Sequence, residues 1–396
     1  MMRRIANSGA SAKTQAFAAG ICLQILLTGL QVVGGGAAAQ TSAWTAMSPS
    51  SSPSVRAAHD MAYDAQSDRI VLFGGLDGSL QVLEDTWAYD FQSDEWTEMN
   101  PVTAPSARSS LAMAYDAAAD RVILFGGVQN IGGSFVEVND TWAYDFDTDT
   151  WTNRSPAVAP SPRLGHRMVY DAHSDVVILV GGHRGRDPSA VFLNDTWSYD
   201  FDANVWSERT PALHAGGGNH GGLVYHAPSD QMILFGGSEA AGSSQATWAY
   251  DAVGDRWTEL RPAVAPSPRF LVGMAHDTSS NRVVLFGGTS GATETWTYHV
   301  EGNQWTQLDV APAPSGRNGH RMAYDAQSDR TILFGGGDGL PGTVNNETWS
   351  FDLESPQEFP WLLVIIAAVA GTSAAVAALL LLRRRRRRMA PESTRR

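Results

Sequence analysis

Short apolar runs recur at a fixed beat along this chain. Ile70-Val71-Leu72-Phe73, Val122 to Phe125, Val177 to Val180 and Met232 to Phe235 each end at a Gly-Gly pair. Runs this short, bounded by glycine, predict strands buried on both faces. Each is followed by a β-rich segment such as Thr86-Trp87-Ala88-Tyr89. An alternating segment such as Trp96-Thr97-Glu98-Met99 comes next, as expected of an outer strand with one wet face. Asp64-Ala65-Gln66-Ser67-Asp68 and Gln92-Ser93-Asp94 are turn-type linkers, in which Asp and Ser side chains bond their own backbone. Each unit therefore predicts a four-stranded antiparallel meander, with strands a, b, c and d in chain order.

The unit repeats six times. The Gly-Gly pairs begin at Gly74, Gly126, Gly181, Gly236, Gly287 and Gly335, separated by 52, 55, 55, 51 and 48 residues. The second Trp of each repeat is Trp96, Trp151, Trp206, Trp257 and Trp305, always 9 residues after the first. The sixth repeat has Trp349 but Glu358 in the second position. An orphan Trp44 precedes the first repeat, 19 residues before Tyr63, and the other second tryptophans stand 19 before their own next aromatic. This count predicts a ring whose last blade takes its d strand from the N-terminal side. All length variation falls between Gly-Gly and Thr-Trp, the b–c loop, with gaps of 13, 16, 16, 12, 9 and 14 residues. In repeat architectures such insertions map to one face, often the binding face.

The double glycine, the Tyr-Asp pair and the two spaced aromatics resemble the kelch family. So do Arg163-Leu164-Gly165-His166 and Arg317-Asn318-Gly319-His320. The resemblance covers Trp44 to Asp352 and implies an all-β, six-bladed β-propeller spanning 40–355. In that family, loops on one face generally form the partner site.

The ends add further expectations. Arg3, Arg4 and Lys13 precede an apolar stretch and Ala37-Ala38-Ala39, which reads as a signal peptide over 1–39. A twin-arginine signal and an uncleaved anchor are the other readings. Trp361 to Leu382 carries no charge and is long enough for a transmembrane helix. Arg383 to Arg388 follow it, so 383–396 is expected to be a cytoplasmic tail with the propeller outside. The order Pro356 to Pro360, apolar segment, basic cluster also resembles a cleavable surface-sorting tag. The lone Cys22 lies in the signal segment, so no disulfide is expected in the mature domain.

Charge sharpens the picture. Between Thr14 and Leu382 stand 17 arginines and 40 acidic residues, a balance of −23. That argues against nucleic acid and against an anionic membrane surface as partners. Much of the acid belongs to the a–b and c–d turns, which share one face. Opposite them, Arg56, Arg108, Arg163, Arg269 and Arg317 each stand 12 residues after the preceding Trp. Five arginines in near-rotational symmetry are the candidate binding residues, for a carboxylate, sulfate or acidic glycan. The other reading is that each arginine pairs locally with an Asp. His59, His166 and His320 share one repeat position and are expected to be structural. The fourth repeat departs from the pattern at His214, Gly218, His220 and His226. His220 joins the candidate binding residues, while the histidine spacing matches no standard metal site, so no metal or cofactor is expected.

These residues predict an interaction module, held at a surface, that takes a protein or glycan on the b–c/d–a face. The alternative is a sugar isomerase or other carbohydrate-active enzyme. The mature chain has no cysteine for the copper and Cys-Tyr cofactor of galactose oxidase, which is similar in architecture. With Trp44 in the last blade, the acidic face is expected to lie toward the membrane. Asn139, Asn153, Asn194 and Asn346 match glycosylation sequons.

Overall fold

The computed structural model describes residues 42–354, apart from 186–188, 217–218, 241, 290 and 339–342. Met1–Thr41 separates as one unit and Ser42–Arg396 as another, and the described residues all belong to the second. The expected signal segment 1–39, apolar span 361–382 and basic tail 383–396 lie outside them. Among the described residues, no helix is long and apolar enough to cross a membrane.

Six four-stranded antiparallel sheets form the domain. Blade 1 comprises Asp60–Asp64, Arg69–Phe73, Thr86–Asp90 and Glu95–Met99. Blades 2 to 5 repeat this order, beginning with inner strands Ala112–Asp116, Arg167–Asp171, Gly222–His226 and Gly273–Asp277. Blade 6 has Arg321–Asp325, Arg330–Phe334 and Thr348–Asp352, and its outer strand is Ala43–Ala46. Trp44 pairs with Phe351 in that strand, so the ring closes as the tryptophan count expects. The inner strands of blades 1 and 6 pack side by side, completing the circle.

The b strands are apolar because both of their faces are covered. Val71, Leu72 and Phe73 are fully buried, as are Ile123, Leu124 and Phe125. The d strands keep one wet face: in Glu95–Met99 only Trp96 is buried.

That tryptophan joins blade to blade. Trp151 stacks on Tyr144 of its own blade at 4.9 Å between centroids and edge-on against Phe73 of the preceding blade at 5.4 Å. Its indole Nε1 donates to Thr86 Oγ1 of the preceding blade at 3.0 Å. The same bond links Trp96 to Thr348, Trp206 to Thr141, Trp257 to Thr196 and Trp305 to Thr247. Trp44 closes the series on Thr295 of blade 5, at 2.9 Å. The threonine of the repeated Thr-Trp is thus the acceptor for the next blade, and a buried indole N–H that lost it would go unpaired.

The diglycine marks another seam. Gly74 and Gly75 have φ of 67° and 112°, and a Cβ on Gly74 would sit 2.5 Å from the Arg108 carbonyl of the next blade. Gly75 N donates to that same carbonyl at 2.9 Å. Only a residue without a side chain permits both the approach and the backbone angle.

Trp44→Ala is expected to cost about 3–5 kcal/mol, the usual range for emptying a buried tryptophan site. Thr295→Val, which removes only the acceptor, should cost about 1–2 kcal/mol. Urea unfolding of the two variants measures both. A Trp44→Ala loss below that of Thr295→Val would show that blade 6 closes without its indole.

Candidate functional site

The five repeat arginines do not present their guanidiniums to solvent. All are 0–1% exposed. Arg56 is gripped bidentately by Asp85, with Nη1–Oδ1 at 2.7 Å and Nη2–Oδ2 at 2.6 Å. Its remaining hydrogens go to the Gly74 carbonyl, the Ser54 carbonyl and Ser54 Oγ. Arg108 and Arg163 repeat the arrangement with Asp140 and Asp195. Arg269 pairs with Glu294, and Arg317 with Glu347 and Asn345. With five donors satisfied inside the blade, as in Arg56, nothing is left for a ligand anion. Of the two sequence readings, local pairing is the one the geometry shows.

These clips tie the start of strand a to the end of the b–c loop. Burial alone would raise the Asp85, Asp140 and Asp195 carboxyls, but the hydrogen bonds and charge of their arginines outweigh it and hold all three below their ordinary value. The same carboxylates accept from Trp87, Trp142 and Trp197. Blade 4 carries neither partner: Gly218, outside the described residues, replaces the arginine, and Ala246 replaces the acid. Trp248 Nε1 is correspondingly left without a partner.

His59, His166 and His320 are fully buried and pack edge-on against Phe334, Phe125 and Phe286. Burial, and then the charge of neighbouring arginines, lowers each well below the usual histidine value. The three histidines of the irregular fourth repeat are not brought together. His214 is exposed, His220 lies where the chain enters strand a, and His226 ends that strand on the opposite face. Among the described residues, no group of three or more His, Cys, Asp or Glu is arranged to hold a metal.

The candidate residues that repeat counting overlooks lie at the start of the inner strands. Sixteen positions after each second Trp stand Asp60, Ala112, Arg167, Gly222, Gly273 and Arg321. The repeat is broken here by two cations and one acid. Arg321 Nε donates to Asp60 Oδ1 at 2.8 Å, and Asp60 Oδ2 accepts from Met113 N at 2.8 Å. Arg167 has backbone partners only, the carbonyls of Gly221 and His166. Burial, and then the charge of Arg321, pulls the Arg167 guanidinium down to about 9 against support from Asp60. Nη2 of both arginines is buried without a partner.

On one side of this trio the axis is encircled by backbone. Ser110 N donates to Ala58 O, Gly165 N to Ser110 O, His220 N to Gly165 O, Leu271 N to His220 O, Gly319 N to Leu271 O, and Ala58 N to Gly319 O. The six bonds, 2.7–3.1 Å long, form a complete circle. Every residue in it is left-handed, with φ between 53° and 69°. His220 belongs to this circle, its ring 5.6 Å from that of His183.

On the other side lies a cavity of about 420 Å³ lined by all six inner strands. Met61, Met113, Met168, Leu223 and Met322 surround it next to the charged trio. Tyr63, Tyr115, Tyr170, Tyr225, Tyr324 and His276 line it further out. Ala65, Ala117 and Ala326, on exposed a–b turns, mark its mouth on the acidic face. Each tyrosine hydroxyl donates to an Asp five residues on, as Tyr115 does to Asp120 at 2.9 Å. Burial, and then those hydrogen bonds, raise the phenols well above their usual value.

Comparison with known proteins follows the same lines. The profile described as the KLHDC2/KLHL20/DRC7 Kelch-repeats domain matches residues 37–218 and 216–367. The chain belongs to the kelch-repeat family. Mei4-dependent protein 6 of Schizosaccharomyces pombe is 27% identical over 39% of this chain and 23% of its own. Adagio-like protein 3 of Oryza sativa subsp. japonica is 26% identical over 57% of this chain and 36% of its own. The flagellar outer-arm dynein alpha chain of Chlamydomonas reinhardtii is 25% identical over 54% of this chain and 5% of its own. This kelch chain thus matches about a third or less of the relatives' length. Kelch repeats generally mediate protein–protein interaction.

Two measurements check these assignments. Arg108→Met leaves Asp140 partly buried without its cation and is expected to cost about 3–5 kcal/mol. Urea unfolding reads this directly, and a variant as stable as wild type would reject the clip. The buried histidines bind fewer protons folded than unfolded, so stability falls with pH below about 6.5. For His276, which burial and the charge of His226 lower to about 4, the loss continues down to that pH. Each such histidine contributes roughly 1.4 kcal/mol per pH unit, so unfolding free energies at pH 7, 6 and 5 should drop steeply. His59→Phe should flatten the slope by one proton.

Proposed function

We propose that this kelch chain is an interaction module that captures a protein through its b–c/d–a face, with the b–c hairpins of blades 2 and 3 as the contact surface. One observation carries the reading. Those two loops are built as β-hairpins, Val128–Ile131 with Ser134–Glu137 and His183–Arg184 with Val191–Phe192. They present Ile131, Val136 and Val191 to solvent at 58%, 40% and 46% exposure. A bond from Gly185 N to Glu137 Oε1 at 3.2 Å joins them into one surface. Apolar side chains raised on neighbouring hairpins suit a protein partner, whose contact core is apolar. The locked arginines favour a protein over an acidic glycan, because their donors are already spent.

Surface anchoring extends this reading. Its support is the uncharged span 361–382 followed by Arg383 to Arg388. Glu354 N donates to Ser42 Oγ at 3.0 Å, so both ends of the propeller emerge together at the acidic face. An anchor following residue 354 would turn that face toward the bilayer and the hairpins outward.

The test is affinity capture with the full-length chain, comparing wild type, an Ile131→Asp/Val191→Asp double variant and Val253→Asp. Val253 is 70% exposed on a turn of the opposite face. A partner recovered by wild type should fall at least tenfold with the double variant and persist with Val253→Asp. Thermal midpoints should be close in all three, since surface changes of this kind usually alter stability by about 0.5 kcal/mol or less. Equal recovery by the double variant and wild type would reject the hairpin face.

A further inference from the structure

We propose that the propeller axis holds a binding site for a small organic monocarboxylate, its carboxylate between Arg167 and Arg321 and its apolar body in the adjoining cavity. The site is separate from the hairpin surface and opens on the other face of the ring.

The inner strands carry an imbalance of charge. At one repeat position Arg321 pairs with Asp60, Arg167 has backbone partners only, and each guanidinium leaves Nη2 buried without an acceptor. Arg167 and Arg321 are 7% and 6% exposed. Buried cations without a counter-charge are costly and rare. The repeat gives no structural reason for them, because the same position elsewhere is Ala112, Gly222 or Gly273. The small residues are themselves informative. A Cβ on Gly222 would meet the Met274 side chain at 2.1 Å, and one on Gly273 would meet His320 and Met322. Space beside these positions is thus given to methionine and histidine side chains.

The walls select the body of the ligand. The cavity is lined mainly by Met, Ala, Val, Leu and Tyr side chains of the six inner strands, with His276 and Thr278 on the side of blade 5. Its volume of about 420 Å³ lies within the range of small-molecule sites. The tyrosine hydroxyls are engaged by aspartates, so the rings offer their apolar surface. Methionine thioethers are flexible and polarizable, and can part to let a carboxylate reach the guanidiniums behind them.

The mouth selects the charge. Aspartates crowd around it from neighbouring blades. Burial, and then the charge of Asp175 or Asp329 on the next blade, raises the Asp116 and Asp277 carboxyls. A polyanion would be repelled at this rim, whereas a single carboxylate on an apolar body meets little opposition. The cavity opens between the tyrosine rings and the exposed a–b turns, so the ligand enters past them.

The probes are benzoate and phenylacetate, with chloride and inorganic phosphate as the plain-anion arm. Thermal unfolding and calorimetric titration of the full-length chain are the readouts. Benzoate or phenylacetate should raise the wild-type midpoint in a saturable way, while chloride and phosphate at equal ionic strength should not. Arg167→Met should weaken binding at least tenfold and raise the ligand-free midpoint, because it removes an unpaired buried cation. Ala65→Trp/Ala326→Trp, which alters only exposed turn positions at the mouth, should also weaken binding while the protein stays folded. A response to chloride or phosphate equal to that of the carboxylates would overturn the proposal, leaving an adventitious ion only. So would an unchanged carboxylate affinity in both variants, or no response to either carboxylate.

Discussion

The domain depends on one indole. In each blade the d-strand tryptophan lies between an aromatic ring of its own c strand and the b strand of the preceding blade, and its N–H is bonded to that blade's threonine. Isolated four-stranded sheets leave both faces open to water. The indole covers the two facing surfaces at once and fixes their register with a directional bond. Repeated six times, it gives the ring its angle per blade. The sixth copy shows how far the rule reaches. Trp44 comes from the opposite end of the domain, yet it meets Phe351, Phe286 and Thr295 in the same way.

The arginine clip is subordinate to that packing and works in a different direction. It fastens each variable loop to the fixed frame. Arg108 spans 32 residues to reach Asp140, across the loop whose length differs most between blades. In every blade but the fourth the acid immediately precedes the Thr-Trp, so a loop of any length returns to the same anchor. Insertions can then differ from blade to blade without disturbing the sheets. That separation of frame from loop lets one face diversify into a contact surface.

Blade number, strand order and closure were legible because each is written as a constant count between residues of distinctive chemistry. Trp44 to Tyr63 obeys the same spacing as Trp96 to Tyr115, and no tertiary knowledge is needed to see it. The fate of the arginines was only half legible. Their recurrence is plain, but a repeated arginine serves a ligand or a partner equally well until its acceptor is found. The clue was present in blade 4, where Gly218 and Ala246 replace arginine and acid together. The axial site was hardest to see. Asp60, Arg167 and Arg321 lie 107 and 154 residues apart and share only a repeat position. Their meaning arises when the ring brings positions of equal count to a common centre. Departures from a repeat carry the individuality of such a chain, and aligning the blades on tryptophan exposes them.

The circle of six backbone bonds around the axis acts as a hoop. It has no free end, and because every member is left-handed, β-branched replacements there would strain it. Each blade passes one main-chain bond to the next, so the six entries to the inner strands are held at a common level around the centre. The ring is thereby hooped twice, by indoles in the seams between blades and by main chain about its middle.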